Sequence, residues 1–272
     1  MAVVSPMQGL GLFKRTTQTT SPALPFGYIS GLVVTYASVA TVTLGVGECR
    51  NSTNTADIVL TGASTASLAA AGAEGLDTGS EATGTWYYVY AIGDSTGANT
   101  AKAMFSLHVS SPTMPSGYDV FRRIQAIHND GSGNIIAFVA RGKGTNRYTF
   151  WNTDHQSAHR KVLSGGLATS FTDVDCSAAI PPTTTDISLY VTHGIGSGRV
   201  DLRTNGSAFA DGLFGSSMDG HSSSPLTSAN AFSNSTMRIQ TDAAGVIEYM
   251  QNNTSSHNSG VFIRVNGYYE EI

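Results

Sequence analysis

Two histidines four residues apart, His155 and His159 in DHQSAHR, have the spacing that best fits metal chemistry. On a helix, both imidazoles would share one face and their ring nitrogens could bind zinc. The stretch lacks the glutamate that comes after the first histidine in a zinc-protease helix. The expectation is an exposed loop. The run GIGSG, Gly194–Gly198, could cradle a phosphate if a helix came directly after it. The next residues, RVDLRTNG, have strand character instead, so the run is expected to be a hairpin turn. Lys143 in GKG lacks the spacing of a nucleotide-binding loop. Glu270 and Glu271 offer two carboxylates for acid–base hydrolysis, which requires the pair to flank one substrate. Neighbours in a strand point to opposite faces, so this pair should not converge. Serine is too abundant for Ser/His/Asp sets to carry information, and no G-x-S-x-G elbow occurs. No catalytic, cofactor-binding or metal-ligating residue is expected, and no cofactor.

The aromatic groups Trp86-Tyr87-Tyr88-Tyr90 and Tyr268-Tyr269 could stack on sugars, but strand alternation sends half of each group inward. The residues singled out for assembly or glycan contact are Phe13, Lys14, Arg15, Trp151, Tyr268 and Tyr269. The densest basic stretch runs through Arg141, Lys143, Arg147, Arg160 and Lys161. It is read as a solvated loop, with an anionic capsid or tail neighbour as the functional alternative. Charged residues are only 12% of the chain and the net charge is −4, with no basic stripe, so nucleic acid is not an expected partner. A weakly charged surface rich in Ser, Thr, Asn and Gly suits contact with copies of itself. Cys49 and Cys176 follow no metal or redox spacing and are expected to be unpaired and buried. No window approaches 18 consecutive apolar residues, so no membrane insertion is expected, and MAVVSPMQGLGLFKRTT does not read as a secretory signal.

The elements that would position these residues are strands. YISGLVVTY, ATVTLGVGECR and NTADIVLTG are β-branched runs between glycines, and TWYYVYAIG (85–93) and AKAMFSLHV come after them. SLAAAGAEGL suggests at most a turn or so of helix. FRRIQAIH, NDGSGN and IIAFVAR read as a hairpin, because Asp-Gly and Ser-Gly supply positive φ. MRIQTDAAGVIEYMQNN reads as a second hairpin around Ala243–Gly245. Alternation points Phe171, Val174, Cys176, Phe262 and Val265 toward the core. Short strands at eight to twelve residue spacing, without a long helix or a repeat, indicate an all-β protein of sandwiches or barrels.

The segments GYISGLVV (27–34), RNSTNTADIVL (50–60), TWYYVYAIG (85–93) and SPTMPSGYDVFRRI with NDGSGNIIAF (111–138) resemble a module of tailed-bacteriophage virion proteins, often tail fibre or minor structural proteins. The resemblance covers residues 27–140, and the PSGYDVFRRI and DGSGNI pieces together make it fairly specific. It implies an assembly role in the virion and no catalytic motif, and with it a homo-oligomer, expected as a trimer. Residues 150–272 resemble no family, but their strand style is compatible with a jelly roll. The expected organisation is an extended arm over 1–27, a β module over 28–148, and a second β-sandwich or jelly-roll-like module over 149–272. Two roles stay open. One is a short tail fibre or tail-tip component whose host-facing C-terminal module could contact host-surface glycan. The other is a capsid decoration protein clamping capsomers. A depolymerase or glycan esterase is the remote alternative.

Overall fold

A computed structural model of the chain describes residues 23–194, 198–208, 221–224, 232–251 and 260–272. Every regular element among them is a strand, as the β-branched runs and close-set turns require. The first six strands are β1 (Ile29–Gly31), β2 (Val34–Ser38), β3 (Thr41–Leu44), β4 (Gly47–Arg50), β5 (Asp57–Leu60) and β6 (Ser64–Ser67). They form two three-stranded antiparallel sheets of order β1-β4-β5 and β2-β3-β6. A third sheet places β7 (Thr85–Gly93) between β8 (Lys102–Ser106) and β9 (Val120–Asn129).

β7 shows almost no alternation because both of its faces are covered. Tyr87, Val89 and Ala91 join the main core, while Tyr88, Tyr90 and Ile92 join a second cluster with Met104 and Ala126. No helix forms in SLAAAGAEGL. The backbone there is drawn onto β8 instead, with Glu74 N donating to Ala103 O at 2.8 Å and Phe105 N to Gly75 O at 2.8 Å. A Cβ at Gly75 would lie 2.4 Å from the Ala70 carbonyl carbon, so the tight loop requires glycine at that position.

Ten more strands complete the described chain: β10 (Phe138–Lys143), β11 (Asn146–Trp151), β12 (Lys161–Gly166), β13 (Thr172–Asp175), β14 (Thr184–Gly194), β15 (Gly198–Thr204), β16 (His221–Ser224), β17 (Phe232–Gln240), β18 (Val246–Gln251) and β19 (Val261–Glu271). One sheet has the order β10-β11-β19-β14-β17, and β12 also pairs with the first half of β19. The facing sheet has the order β13-β18-β15-β16. Their inner rows, including Leu189, Val191, Ile263 and Val265 against Val174, Leu202 and Ile247, share one core.

Both hairpins read from the sequence require correction. The chain does reverse after β9, through the Asn129–Ile135 bridge, but β10 pairs with β11. The open edge of β9 is already used: Ala126 N donates to Glu270 Oε2, and the Tyr268 hydroxyl donates to Ala126 O. β17 and β18 lie in opposite sheets, joined by a corner in which Asp242 Oδ1 accepts N–H bonds from Ala244 and Val246. Ile239 and Ile247 thereby face the same interior from two sides; a hairpin would have set both rows on one face. β14 and β15 likewise belong to different sheets, so the GIGSG connection is no hairpin either; its residues 195–197 lie outside the described set.

Inward facings hold at Val174, Cys176 and Val265, whereas Phe171 is half-buried beneath Arg203. Phe262 is half-buried on the outer side, because Val261, Ile263 and Val265 take the core positions. The division expected at 148/149 falls inside β11, and by sheet membership the β10–β11 hairpin travels with the C-terminal strands. Of the arm, residues 1–22 lie outside the described residues, and 23–27 lead into β1.

Candidate functional site

Of the six residues nominated for contact, Phe13, Lys14 and Arg15 lie outside the described residues. Trp151 and Tyr268 are 1% and 0% exposed, which corrects their nomination as contact residues. The period of β11 turns Trp151 inward, where its Nε1 donates to Ala179 O at 3.1 Å. Its ring lies 6.0 Å from Trp86 and 5.6 Å from Tyr268. Tyr268 also meets Trp86 edge-on at 5.6 Å, and its hydroxyl bonds Ala126 O at 2.8 Å. Burial holds that phenol well above its ordinary pKa, with the Glu270 charge adding to the effect. These aromatics join the third sheet to the C-terminal sandwich, and Trp151 and Tyr268 present no face to a ligand.

Tyr269 does lie on the outer face of the six-stranded sheet. One side of its ring stacks on Tyr148 at 4.4 Å and 26°. The Arg238 guanidinium sits 3.8 Å over the ring and pairs with Asp186 at 3.0 Å. Both faces of Tyr269 are therefore occupied, and a sugar would have to displace Arg238 to stack there. A close approach supports this row: a Cβ at Gly267 would sit 2.0 Å from Thr149 O.

Sequence reasoning missed the group that does most at this junction, the carboxylate of Glu270. It is 2% exposed and accepts from Arg123 Nη1 and Ala126 N, each at 2.9 Å, and from the Thr183 hydroxyl at 2.5 Å. Arg123 Nη2 donates to Glu271 O at 3.0 Å, and Arg122 Nη2 to a main-chain oxygen of Ile272 at 2.5 Å. Arg147, 3% exposed, reaches across to Gly31 O at 3.2 Å. The last three residues are thus clamped onto β9. A sequence signal existed in the charge match between Arg122-Arg123 and Glu270-Glu271, but 147 residues separate Arg123 from Glu270.

His155 and His159 sit in turns, and no helix sets them on one face. His155 Nδ1 contacts Arg160 Nη2 at 3.1 Å, and His159 Nε2 contacts the Thr153 hydroxyl at 3.1 Å. Burial, followed by the nearby Arg160 charge, lowers His159 to about 4. Arg160 itself is 1% exposed and pins the loop by donating to Thr153 O, Val265 O and Asn266 Oδ1. Glu270 and Glu271 face opposite ways, one buried and one exposed, so they cannot share a substrate. Cys49 and Cys176 are free, buried thiols pushed up to about 12 by burial. Among the described residues no three His, Cys, Asp or Glu side chains gather as a metal site.

Two concavities stand out among the described residues. A 510 Å³ groove runs along β5, opposite the turn between β7 and β8. A 170 Å³ pocket lies where Trp86 meets Pro181, Pro182 and the Asp242–Gly245 corner. Neither brings a nucleophile, base and oxyanion donor together. No known protein family, curated protein or solved structure matches this chain.

Proposed function

We propose that this chain is a non-enzymatic structural subunit of a tailed-bacteriophage particle, assembled as a trimer. Its place is a short tail fibre or the tail tip, with the C-terminal sandwich facing the host. The observation that carries this reading is the rigid junction around Glu270. A buried ion pair, two tail clamps and a shared aromatic core join the halves, as a load-transmitting part needs and a hinged catalytic cleft does not. The resemblance of residues 27–140 to virion modules supplies the particle. Exposed apolar side chains, among them Phe26 at 84%, Val46 at 57% and Leu167 at 58%, together with the sparse charge, support contact between copies. We further read β12 to β19 as a jelly roll. The orders β12-β19-β14-β17 and β13-β18-β15-β16 distribute eight strands over two sheets as two interlocked Greek keys would.

Four carboxylates are held in ion pairs with arginines. Glu270, Glu248, Asp186 and Asp57 are paired with Arg123, Arg203, Arg238 and Arg50. Quantitative mass spectrometry of purified particles tests the reading, with the portal and the major capsid protein as standards. Portal-like stoichiometry places the chain on the tail. Capsid-like stoichiometry replaces the tail assignment with a decoration role, and absence from the particle refutes both.

A further inference from the structure

The outer face of the six-stranded sheet holds two buried arginines without a carboxylate partner. Arg264 lies between the core residues Ile263 and Val265 on β19, so it points outward, yet it is only 7% exposed. Its cross-strand neighbours are Tyr190 on β14 and Lys161 on β12. Arg160, also buried, ends the connection between β11 and β12, residues 152–160. The two charges are close enough to repel each other, and both act on His155. Among the described residues neither guanidinium is in an ion pair. Arg160 donates to the neutral oxygens of Thr153, Val265 and Asn266, and Asp154 acts on it only through space. Two unpaired positive charges beneath one short connection are an unfavourable arrangement that an anion would relieve.

Arg264 is the less well satisfied of the two. One edge of a guanidinium presents Nε–H and Nη2–H in parallel, a fork that matches the two oxygens of a carboxylate. On Arg264, Nη2 donates to Gln156 Oε1 at 3.2 Å, and the buried Nε has no partner. One amide oxygen therefore half-fills an edge shaped for two. That oxygen belongs to an exposed side chain in a turn. Aromatic rings surround the edge. Tyr190 and His155 stand 5.4 Å apart, and the Arg264 guanidinium lies 5.8 Å from the Phe262 ring. His155 Nδ1 faces Arg160 Nη2, which leaves its Nε2 to carry the ring proton.

We propose that Arg264 anchors an anion site on this face, and that its ligand is the carboxylate of an acidic sugar, which replaces Gln156 on the Nε–Nη2 fork. The two carboxylate oxygens take both donors, and the nearby Arg160 charge adds to the attraction. Tyr190 and His155 flank the sugar ring, each offering an apolar ring face and a polar tip. The site is separate from Tyr269, whose two faces are already covered by Tyr148 and Arg238. The choice of a sugar rests on the host-facing reading of the C-terminal sandwich, whereas the carboxylate site rests on the half-filled fork alone.

Titration calorimetry on the full-length protein tests it, with glucuronate, acetate and glucose compared at one ionic strength. Glucuronate should bind, acetate should bind at least about tenfold more weakly, and glucose should give no heat. Gln156→Glu places the protein's own carboxylate on the fork. It changes an exposed residue, so it should fold as the parent does and weaken glucuronate binding at least about tenfold. Gln156→Ala removes the competing oxygen and should tighten binding. Arg264→Met should abolish it, with unchanged tryptophan emission showing that the fold is kept. No glucuronate binding to the parent, or equal binding to the parent and Gln156→Glu, overturns the site. Acetate bound as tightly as glucuronate overturns the sugar assignment and upholds the carboxylate site. All of these are read on the isolated chain, whereas the virion reading fails separately, if the chain is missing from purified particles.

Discussion

Glu270→Gln is the sharpest probe of the junction. The substitution keeps the shape and removes the charge from a side chain that accepts three hydrogen bonds inside the protein. Glutamine has one acceptor oxygen; its amide nitrogen is a donor and must face either the Arg123 guanidinium or the Ala126 N–H, donor against donor. The Arg123 side chain, 16% exposed, also loses its counter-charge. Breaking a mostly buried pair by altering one partner costs about 3–5 kcal/mol. Partial access of water to Arg123 and the retained oxygen argue for the lower end, about 3 kcal/mol. For a chain of this size that corresponds to a fall in Tm of about 6–9 °C. Trp86 and Trp151 are the only tryptophans and sit 6.0 Å apart at this junction, so their fluorescence reports the loss directly. The neighbouring Glu271→Gln, on an exposed side chain, is the control and should move Tm by under about 1 °C. Equal effects of the two substitutions, or a fall below about 2 °C for Glu270→Gln, would refute the account of the junction.

Gly267→Ala should lower stability by about 3 kcal/mol, because its Cβ would enter the Thr149 carbonyl oxygen, whereas Gly62→Ala, which meets nothing within 4 Å, should be silent in the same urea titration. His159 titrates near 4 when folded and about 6.5 when unfolded, so below pH 6.5 the unfolded state binds a proton that the folded state refuses. Its contribution is complete above that pH and declines as pH falls from about 6.5 toward 4; His159→Asn should flatten the urea midpoint over that window relative to the parent. A thiol reagent at mildly alkaline pH should modify neither Cys49 nor Cys176 in the folded protein and both after denaturation; rapid modification of either one in the folded protein would contradict its burial.

Much of the architecture is written locally. Asp57–Leu60 alternates exposed and buried residues as a period of two demands, and TWYYVYAIG occupies β7 at the residues read from sequence. The absence of a convergent catalytic pair at Glu270-Glu271 comes from the same period. These features depend on residues within a few positions of each other, and backbone geometry converts their spacing directly into faces. Phe262 shows where such reading ends. A register shift in the β14–β19 pairing, between Leu189–Val265 and Ser188–Gly267, changes the face parity along β19.

Partner choice was decided elsewhere. NDGSGN and TDAAG both look like hairpin turns, and both reverse the chain, yet neither joins two strands of one ladder. Peptide groups bond any strand edge about equally well, so turn chemistry alone cannot select the partner. Selection came from Glu270 and Tyr268 filling the β9 edge, and from rows such as Ile239 and Ile247 needing one shared interior. The same holds for Trp151 and Tyr268. Their types suggest contact with a ligand, and only the meeting of β7, β11 and β19 makes them core. Strands, their faces and the sparse charge follow from residue types a few positions apart. The tertiary structure decided which edges were already occupied, and so which pairings and which side chains remained open, because edge occupancy depends on groups more than a hundred residues apart.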